Sequence, residues 1–509
     1  MAPGDAARRF HEATKHGRQR MVGGRMLPLG RASRPPQFKG YAGGELLSFA
    51  DPSEPPTVPA LTALAGLAPV SRRPPDRRDL AQLCRLANGV LRWRPLAGHP
   101  DGGIGFRAAP CTGALYHIEL YVACSDLDGV AAGLYYHDAR APGLRRLRTG
   151  DWRALAIEAA AGEPATAGAP AIVVLTSSFW RNAWKYGPRA YRHAFWDGGV
   201  VLANLLAAAG ALGLPATVVL GFEDDLVGRL LDLDPDREVP VALVALGVGA
   251  PAATPTPAPP PIGLVDEPLF FLAEHFPQIP AAHAATSLAG AGRVQAWRAG
   301  APTPQPPLAG DELSAAGPSI EEAVVGRRST RSFAAAPITS EQLRLLLGCT
   351  LAPVLSDVPV GPGAPHLTVT AVEGMEPGLY RVEGGRPVLL RSVEPYELRR
   401  TAGRMALGQE LGAEAAVNVC FLADLDDVLG RMGDRGWRVA HLGASIAAGR
   451  LEVAAQALGL GATGLTFFDD EVVDLFGLGP GRTAVTYLAA AGVPRRPGRA
   501  KSGSAGRPG

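Results

Sequence analysis

Arg192, Leu205, Ala208, Leu212, Gly213, Leu214, Ala216, Phe222 and Asp224 each recur 246 positions later, as Arg438, Leu451, Ala454, Leu458, Gly459, Leu460, Ala462, Phe468 and Asp470. Chance does not give that many matches in one register. Gly133-Leu134-Tyr135 also returns as Gly378-Leu379-Tyr380, and Arg72-Arg73 as Arg327-Arg328. The chain therefore reads as one domain duplicated in tandem, and whatever fold it takes must be built twice. Its 509 residues and 47% hydrophobic content are enough for two full cores.

In the first copy the repeated stretch runs from Ser178 to Phe222. It joins a polar, aromatic loop carrying Lys185 and Tyr186 to a long Ala/Leu/Val helix. Val201, Leu205, Ala208 and Leu212 fall on one helical face, and Gly213 is placed to end the helix. From Gly198 to Phe222 there is no charge over 25 residues, which raises the question of a membrane span. Asn204, the glycines before the break and Pro215 divide that stretch, and its duplicate carries Arg450 and Glu452. A buried central helix followed by a short strand is predicted, with no membrane partner.

The net charge of +2 comes from the last fifteen residues, where Arg495, Arg496, Arg499, Lys501 and Arg507 stand; without them the body is at −3. A mildly acidic body argues against a nucleic-acid partner. The Gly/Pro/Ser-rich tail, 495–509, has nothing apolar to bury and is predicted to be disordered. Cys84, Cys111, Cys124, Cys349 and Cys420 are scattered singly with no metal-ligand spacing, and the start of the chain has no apolar signal core. Together these suit a reducing cytoplasm, without metal or disulfides.

The predicted order is an N-terminal arm (1–60), a first domain (61–250), a Pro-rich linker with short helices over Phe270 to Phe276 and Val294 to Trp297 (251–318), and a second domain (319–494). In the first domain a helix is expected over Asp79 to Leu91. Strands are expected over Leu115 to Ala123, Gly133 to Tyr136, Ala171 to Thr176 and Val239 to Leu246. In the second, a helix leads into Arg327-Arg328-Ser329-Thr330-Arg331-Ser332-Phe333. Guanidinium forks and hydroxyls clustered at a helix end suit phosphate, because Arg binds its oxygens in bidentate geometry. A solvated basic turn is the alternative.

That heptapeptide, with Pro337-Ile338-Thr339-Ser340-Glu341-Gln342-Leu343 after it and Leu-Gly-Leu-Gly-Ala-Thr-Gly at 458–464, resembles the FMN-dependent nitroreductase-like superfamily. RAAPCTGALYHIELYVA (Arg107 to Ala123), AGLYYHD (Ala132 to Asp138), KYGPRAYRHAF (Lys185 to Phe195) and FHEATKH (Phe10 to His16) are similar, more narrowly, to the SagB-type peptide dehydrogenases, which oxidise azoline rings in ribosomally made peptides. The resemblance spans roughly residues 8–250 and, more loosely, 318–494. It implies an α+β fold of two nitroreductase-like domains, each with a mixed, mainly antiparallel sheet flanked by helices, joined as an intrachain pseudo-dimer and leaving higher oligomers open. It also implies FMN between the domains, a cyclised precursor peptide as substrate, a cyclodehydratase complex as partner, and oxygen as reoxidant.

Residue by residue, the resemblance makes Lys185 the base that takes a Cα proton, in a pocket near Trp184, Phe195 and Trp196, and Tyr186 the group that orients the ring or relays the proton. It puts the FMN phosphate on Arg327, Arg328, Ser329 and Arg331. Pro110, Cys111, Thr112 and Gly113 stand beside the flavin ring, with Gly461, Thr463 and Gly464 opposite. The chain departs from the family where Cys111 replaces a serine and His117 a proline; His117 is expected either at the surface or facing the cleft. His366 and His441 are expected to be structural, and Asp224-Asp225 and Asp469-Asp470-Glu471 to cap helices. In the first copy the counterpart of the Arg/Ser motif, Ser71 to Asp76, has two prolines and a carboxylate. In the second, the counterpart of Pro110 to Tyr116 is expected near Gly361 to His366. One composite site per chain follows. A generic NAD(P)H-dependent nitro- or quinone reductase and a non-catalytic scaffold subunit are the alternatives.

Overall fold

A computed structural model describes residues 4–17, 34–41, 43–49, 54–254, 258–262, 276–302, 316–479 and 481–495. The helix expected from Phe270 lies outside these residues up to position 275, as does the tail from 496. The first half forms a sheet of β1 (Leu46–Ser48), β4 (Ile118–Cys124), β5 (Gly133–Asp138), β6 (Gly143–Thr149), β7 (Ala171–Ser177), β8 (Ala216–Val219) and β9 (Val239–Leu246), ordered β1-β6-β5-β4-β7-β9-β8. The second half gives β10 (Ala364–Val369), β11 (Gly378–Glu383), β12 (Arg386–Ser392), β13 (Val417–Asp424), β14 (Gly461–Gly464) and β15 (Thr483–Gly492), ordered β12-β11-β10-β13-β15-β14. Apart from the added β1 the two orders are the same. The duplication seen in sequence is a duplication of topology, and the paired strands of both sheets are antiparallel.

Each half has one helix running through its middle, Ala190–Ala211 and Gly436–Ala457, and the two pack on each other between the sheets. Glycine permits the approach: a Cβ on Gly199 would lie 1.9 Å from Ser445 Oγ, and one on Gly449 2.8 Å from Ala203 Cβ. One apolar core joins Val200, Val201 and Leu205 to Trp437, Leu442 and Ile446 of the other half; a second joins Ala207 and Ala208 to Leu451 and Ala454. Each half's core is thus completed by the other. Phe179–Ala211 is long and apolar enough to cross a membrane, but 83% of its most apolar window is buried inside the protein.

Charge ties the halves as well. Arg189 and Arg192 reach Asp469 at 3.0 and 2.8 Å, while Arg435 and Arg438 reach Asp224, both at 2.5 Å, and all six side chains are buried. The pseudo-twofold partner of Asp224 is therefore Asp469, one residue short of the 246 offset, and Phe222 likewise matches Phe467, since Arg435 covers one ring and Arg189 the other. This corrects the capping expectation. Glu223 and Phe468 hold the cap positions, and Asp224 and Asp469 are the buried anions of a cross-domain exchange. The helix expected to Leu91 ends instead at Asn88, because Val90–Pro95 turns into a strand, β2, that pairs with β3 (Gly103–Arg107) as a separate hairpin.

Candidate functional site: a cleft between the two halves

The turn from Pro110 to His117 is held from beneath by one carboxylate. Asp197, on the central helix, accepts the Thr112 N–H at 3.0 Å, the Thr112 hydroxyl at 2.8 Å and the Cys111 thiol at 3.1 Å. His117 Nε2 lies 2.8 Å from it, with Nδ1 2.8 Å from Ser177 Oγ. His117 is fully buried behind the turn, which overturns its placement at the surface. Burial, and then Asp197, pushes the Cys111 thiol well above its ordinary range, so it stays protonated and donates. The turn is strained: Gly113, Ala114 and Tyr116 have φ of 66°, 52° and 46°. Gly113 is also a spatial requirement, since a Cβ there would lie 2.9 Å from Tyr186 Oη.

Lys185 and Tyr186 end the helix Phe179–Tyr186 over this turn, the ammonium 5.1 Å from the Tyr186 ring centre. Burial, with Asp197 and Cys111 adding to it, raises the Tyr186 pKa and keeps the phenol protonated. Lys185 is exposed at the cleft mouth, where partial desolvation and then Arg34 lower its pKa. The apolar pocket expected around it is only partly there. Trp196 lines the cleft, but Phe195 is fully buried in the core against Trp437.

Across the cleft stands the second half. A cavity of about 750 Å³ is lined by Pro110, Cys111, Thr112, Gly113, Lys185 and Tyr186 on one side and by Arg327, Arg328, Ser329, Arg331, Thr463 and Gly464 on the other. Gly461 is the exception among the expected residues. It sits behind the arginine motif, where a Cβ would lie 2.2 Å from Thr330 Oγ1, and it lines an adjoining hollow with Gln456 and Arg495. Arg327 donates to Ala108 O at 2.9 Å and lies 3.4 Å from Glu452, while its Nε is buried with no partner. Burial raises the Glu452 pKa against the pull of Arg327.

Among the described residues the pseudo-twofold counterpart of this cleft is filled. The true match of the Pro110 turn is Ser356 to Pro362, since β10 already starts at Ala364 and holds His366, which corrects the expected Gly361 to His366. Here Gly443 stands where the first half has Asp197, and a Cβ on it would lie 2.2 Å from Gly361 O. The turn consequently lies flush on its helix. Ser356 then bridges in parallel to Val218, and Asp357 takes Leu220 N at 2.8 Å, Gly221 N at 2.9 Å and the Arg298 guanidinium at 3.1 Å. At the other wall Arg73 is paired to Asp79 and bonded to Leu212 O, and Asp76 is spent capping the helix Arg77–Asn88.

Asp197 and Glu452 were not picked out from sequence as site residues, although each is a lone carboxylate in a buried helix, which is a readable signal. The hairpin residues Arg92, Arg94 and Phe106, and Arg34 from the arm, also line the cleft and carried no motif.

Among known proteins, a nitroreductase-like protein of Methanocaldococcus jannaschii is 31% identical over 167 residues, 33% of this chain and 77% of that one. The trifolitoxin-processing protein of Rhizobium leguminosarum bv. trifolii is 31% identical over 134 residues, 25% of this chain and 36% of that one. In structure, a nitroreductase-like protein from Anabaena variabilis superimposes with a TM-score of 0.75 at 25% identity, over 96% of this chain and 99% of its own. The Nitroreductase family pattern matches residues 70–248 and again 324–492. With both halves matched and both sheets built to one topology, the chain belongs to the nitroreductase family and carries its domain twice.

Proposed function

We propose that the protein is an FMN-dependent dehydrogenase that oxidises thiazoline or oxazoline rings to azoles in a ribosomally made peptide, acting in the cytoplasm after a partner cyclodehydratase. The observation that carries this reading is the meeting of Lys185, Tyr186 and the Pro110 turn with the Arg327–Arg331 motif in one cavity, each from a different half. Similarity to a toxin-processing protein supports a peptide substrate.

The residues present fit FMN. Arg331 offers a bidentate fork to a phosphate, Ser329 a hydroxyl, and Arg328 its charge, its Nη1 being taken up by the Val325, Gly326 and Arg327 carbonyls; the buried, unpartnered Nε of Arg327 is a donor in want of an acceptor. Gly113 and Gly464 let two cavity-lining hydroxyls approach the backbone, since a Cβ there would lie 2.9 Å from Tyr186 Oη and 2.5 Å from Tyr487 Oη. The cavity lies within the range of about 300–1,000 Å³ typical of cofactor sites. When bound, FMN supplies the two-electron acceptor for hydride. In this reading Lys185 Nζ, in its free-base form, takes the Cα proton; loss of that proton and of a Cβ hydride together removes two hydrogens per ring. Tyr186, held protonated, donates to and orients the ring, and Asp197 fixes the turn on which both depend.

The expected result with purified protein and a cyclised peptide is loss of two hydrogens per azoline, read by mass spectrometry. Unchanged substrate mass, or rapid NAD(P)H oxidation with no peptide present, would sink the proposal. The closed counterpart adds a second expectation. Flavin released by denaturation is one equivalent per chain, and Arg331→Ala purifies without it; two equivalents would contradict the single composite site.

A further inference from the structure

More positive charge lines the cleft than one cofactor phosphate can balance. Arg107 and Arg327 have carboxylates nearby, Glu119 at 3.8 Å and Glu452 at 3.4 Å. Arg34, Arg92, Arg94, Arg328 and Arg331 line the same cavity, and among the described residues none of them forms an ion pair. A phosphate monoester brings at most about two negative charges, which leaves several guanidinium groups facing one another across a common space. Arg34 even has a buried Nε without a partner.

The surplus has a place in the fold. Arg92 and Arg94 stand on one face of β2, their guanidinium carbons 5.0 and 5.6 Å from the Phe106 ring centre, and Ile104 beside Phe106 adds an apolar floor. Among the described residues the hairpin belongs only to the first half. Where the second half would have it, the chain runs from Leu351 to Gly363 and closes the counterpart cleft. Arg92 through Leu96 are exposed, so the hairpin forms a rim that continues outward past the cavity, with Trp93 at 48% and Leu96 at 39% exposure. An open rim of cations over aromatic carbon suits a chain passing through the mouth better than a compact molecule held inside.

We infer that the β2–β3 hairpin, with Arg34 of the arm that packs on it, reads an acidic segment of the peptide substrate next to the reacting ring. This rests on the cleft being a peptide-oxidising FMN site. The carboxylates would supply the balance that the cofactor phosphate leaves, and because the rim is open to water their contribution is strongly salt-dependent.

The test uses the full, flavin-loaded chain with a short glycine–glutamate peptide and its glycine–glutamine counterpart of equal length. The glutamate peptide is expected to bind about tenfold tighter at low salt, with the preference lost at high salt. The double variant Arg92→Gln/Arg94→Gln is expected to abolish the preference while keeping its flavin. Arg94→Gln alone, the hairpin change further from the Arg327 motif, is expected to reduce the preference with flavin content unchanged. Equal binding of the two peptides overturns the inference, as does a preference that survives the double variant. Loss of flavin from Arg94→Gln also overturns it, since the arginine would then be serving the cofactor. NADPH bound through the same arginines with no peptide preference would assign the rim to a dinucleotide instead. Each of these failures leaves azole formation from a neutral cyclised peptide intact, whereas failure of the azoline reading removes that activity and leaves the peptide preference measurable.

Discussion

Asp224→Asn is expected to destabilise the whole molecule by about 3–5 kcal/mol, the usual scale for removing one member of a buried ion pair. The physical reason is that the amide leaves Arg435 and Arg438 buried with no counter-charge, at the seam where each half completes the other's core. Asp469→Asn should cost a similar amount through Arg189 and Arg192. Asp225→Asn, one residue along on an exposed position, should change stability by less than about 0.5 kcal/mol. Urea unfolding of the three variants decides the matter, and equal midpoints for Asp224→Asn and Asp225→Asn would refute the exchange as a stabilising device. The pH dependence has a definite sign. Burial alone would raise both carboxylates, but the paired arginines outweigh it and hold their pKa values below the ordinary one. Their contribution is therefore complete above the unfolded value of about 3.9 and fades as pH falls below it. Burial also holds His11, His193 and His441 neutral, so the unfolded chain binds extra protons first and stability begins to fall below about pH 6.5.

The duplication was legible because a packed core helix keeps its small and apolar residues in register, and the two helices that carry it are the pair that touch. The composite cleft was legible from what each copy had lost: the hydroxyl residues, replaced by Pro74 and Pro75, in one, and the Pro-Cys-Thr-Gly sequence of the turn in the other. What sequence could not give was the one-residue slip that makes Asp469, and not Asp470, the partner of Asp224. Such a slip changes which carboxylate points inward, and only the paired arginines reveal it. Asp357 was hidden for a related reason. It stands 246 positions after Cys111, yet it serves to shut the cleft that the cysteine's turn helps to form, and no motif marks a carboxylate that bonds two backbone amides of another domain. His117 was misread because a histidine in a proline's place looks peripheral until Asp197 and Ser177 are seen on either side of it.

Lys185→Ala is expected to reduce azoline oxidation by about 100-fold or more, the scale of losing a general base, with flavin content unchanged. An alanine substitution alone does not separate a base from a cation that merely attracts an anionic substrate, because both are lost together. Lys185→Arg separates them. Arginine keeps the charge but does not deprotonate in this range, so a base reading predicts a loss as large as that of alanine, and an arginine variant with the parental rate would exclude it. The pH profile gives a second reading. A base acts when unprotonated, so the rate should rise with pH through the Lys185 pKa, which partial desolvation and Arg34 set below the ordinary 10.5. Removing the neighbouring charge with Arg34→Gln should move that rising limb to higher pH, read as kcat at saturating peptide because Arg34 also belongs to the substrate rim. A limb that stays where it was would mean the titrating group is not Lys185. Tyr186→Phe should lower the plateau without moving the limb, because Tyr186 remains protonated throughout and contributes a donor, not a titration.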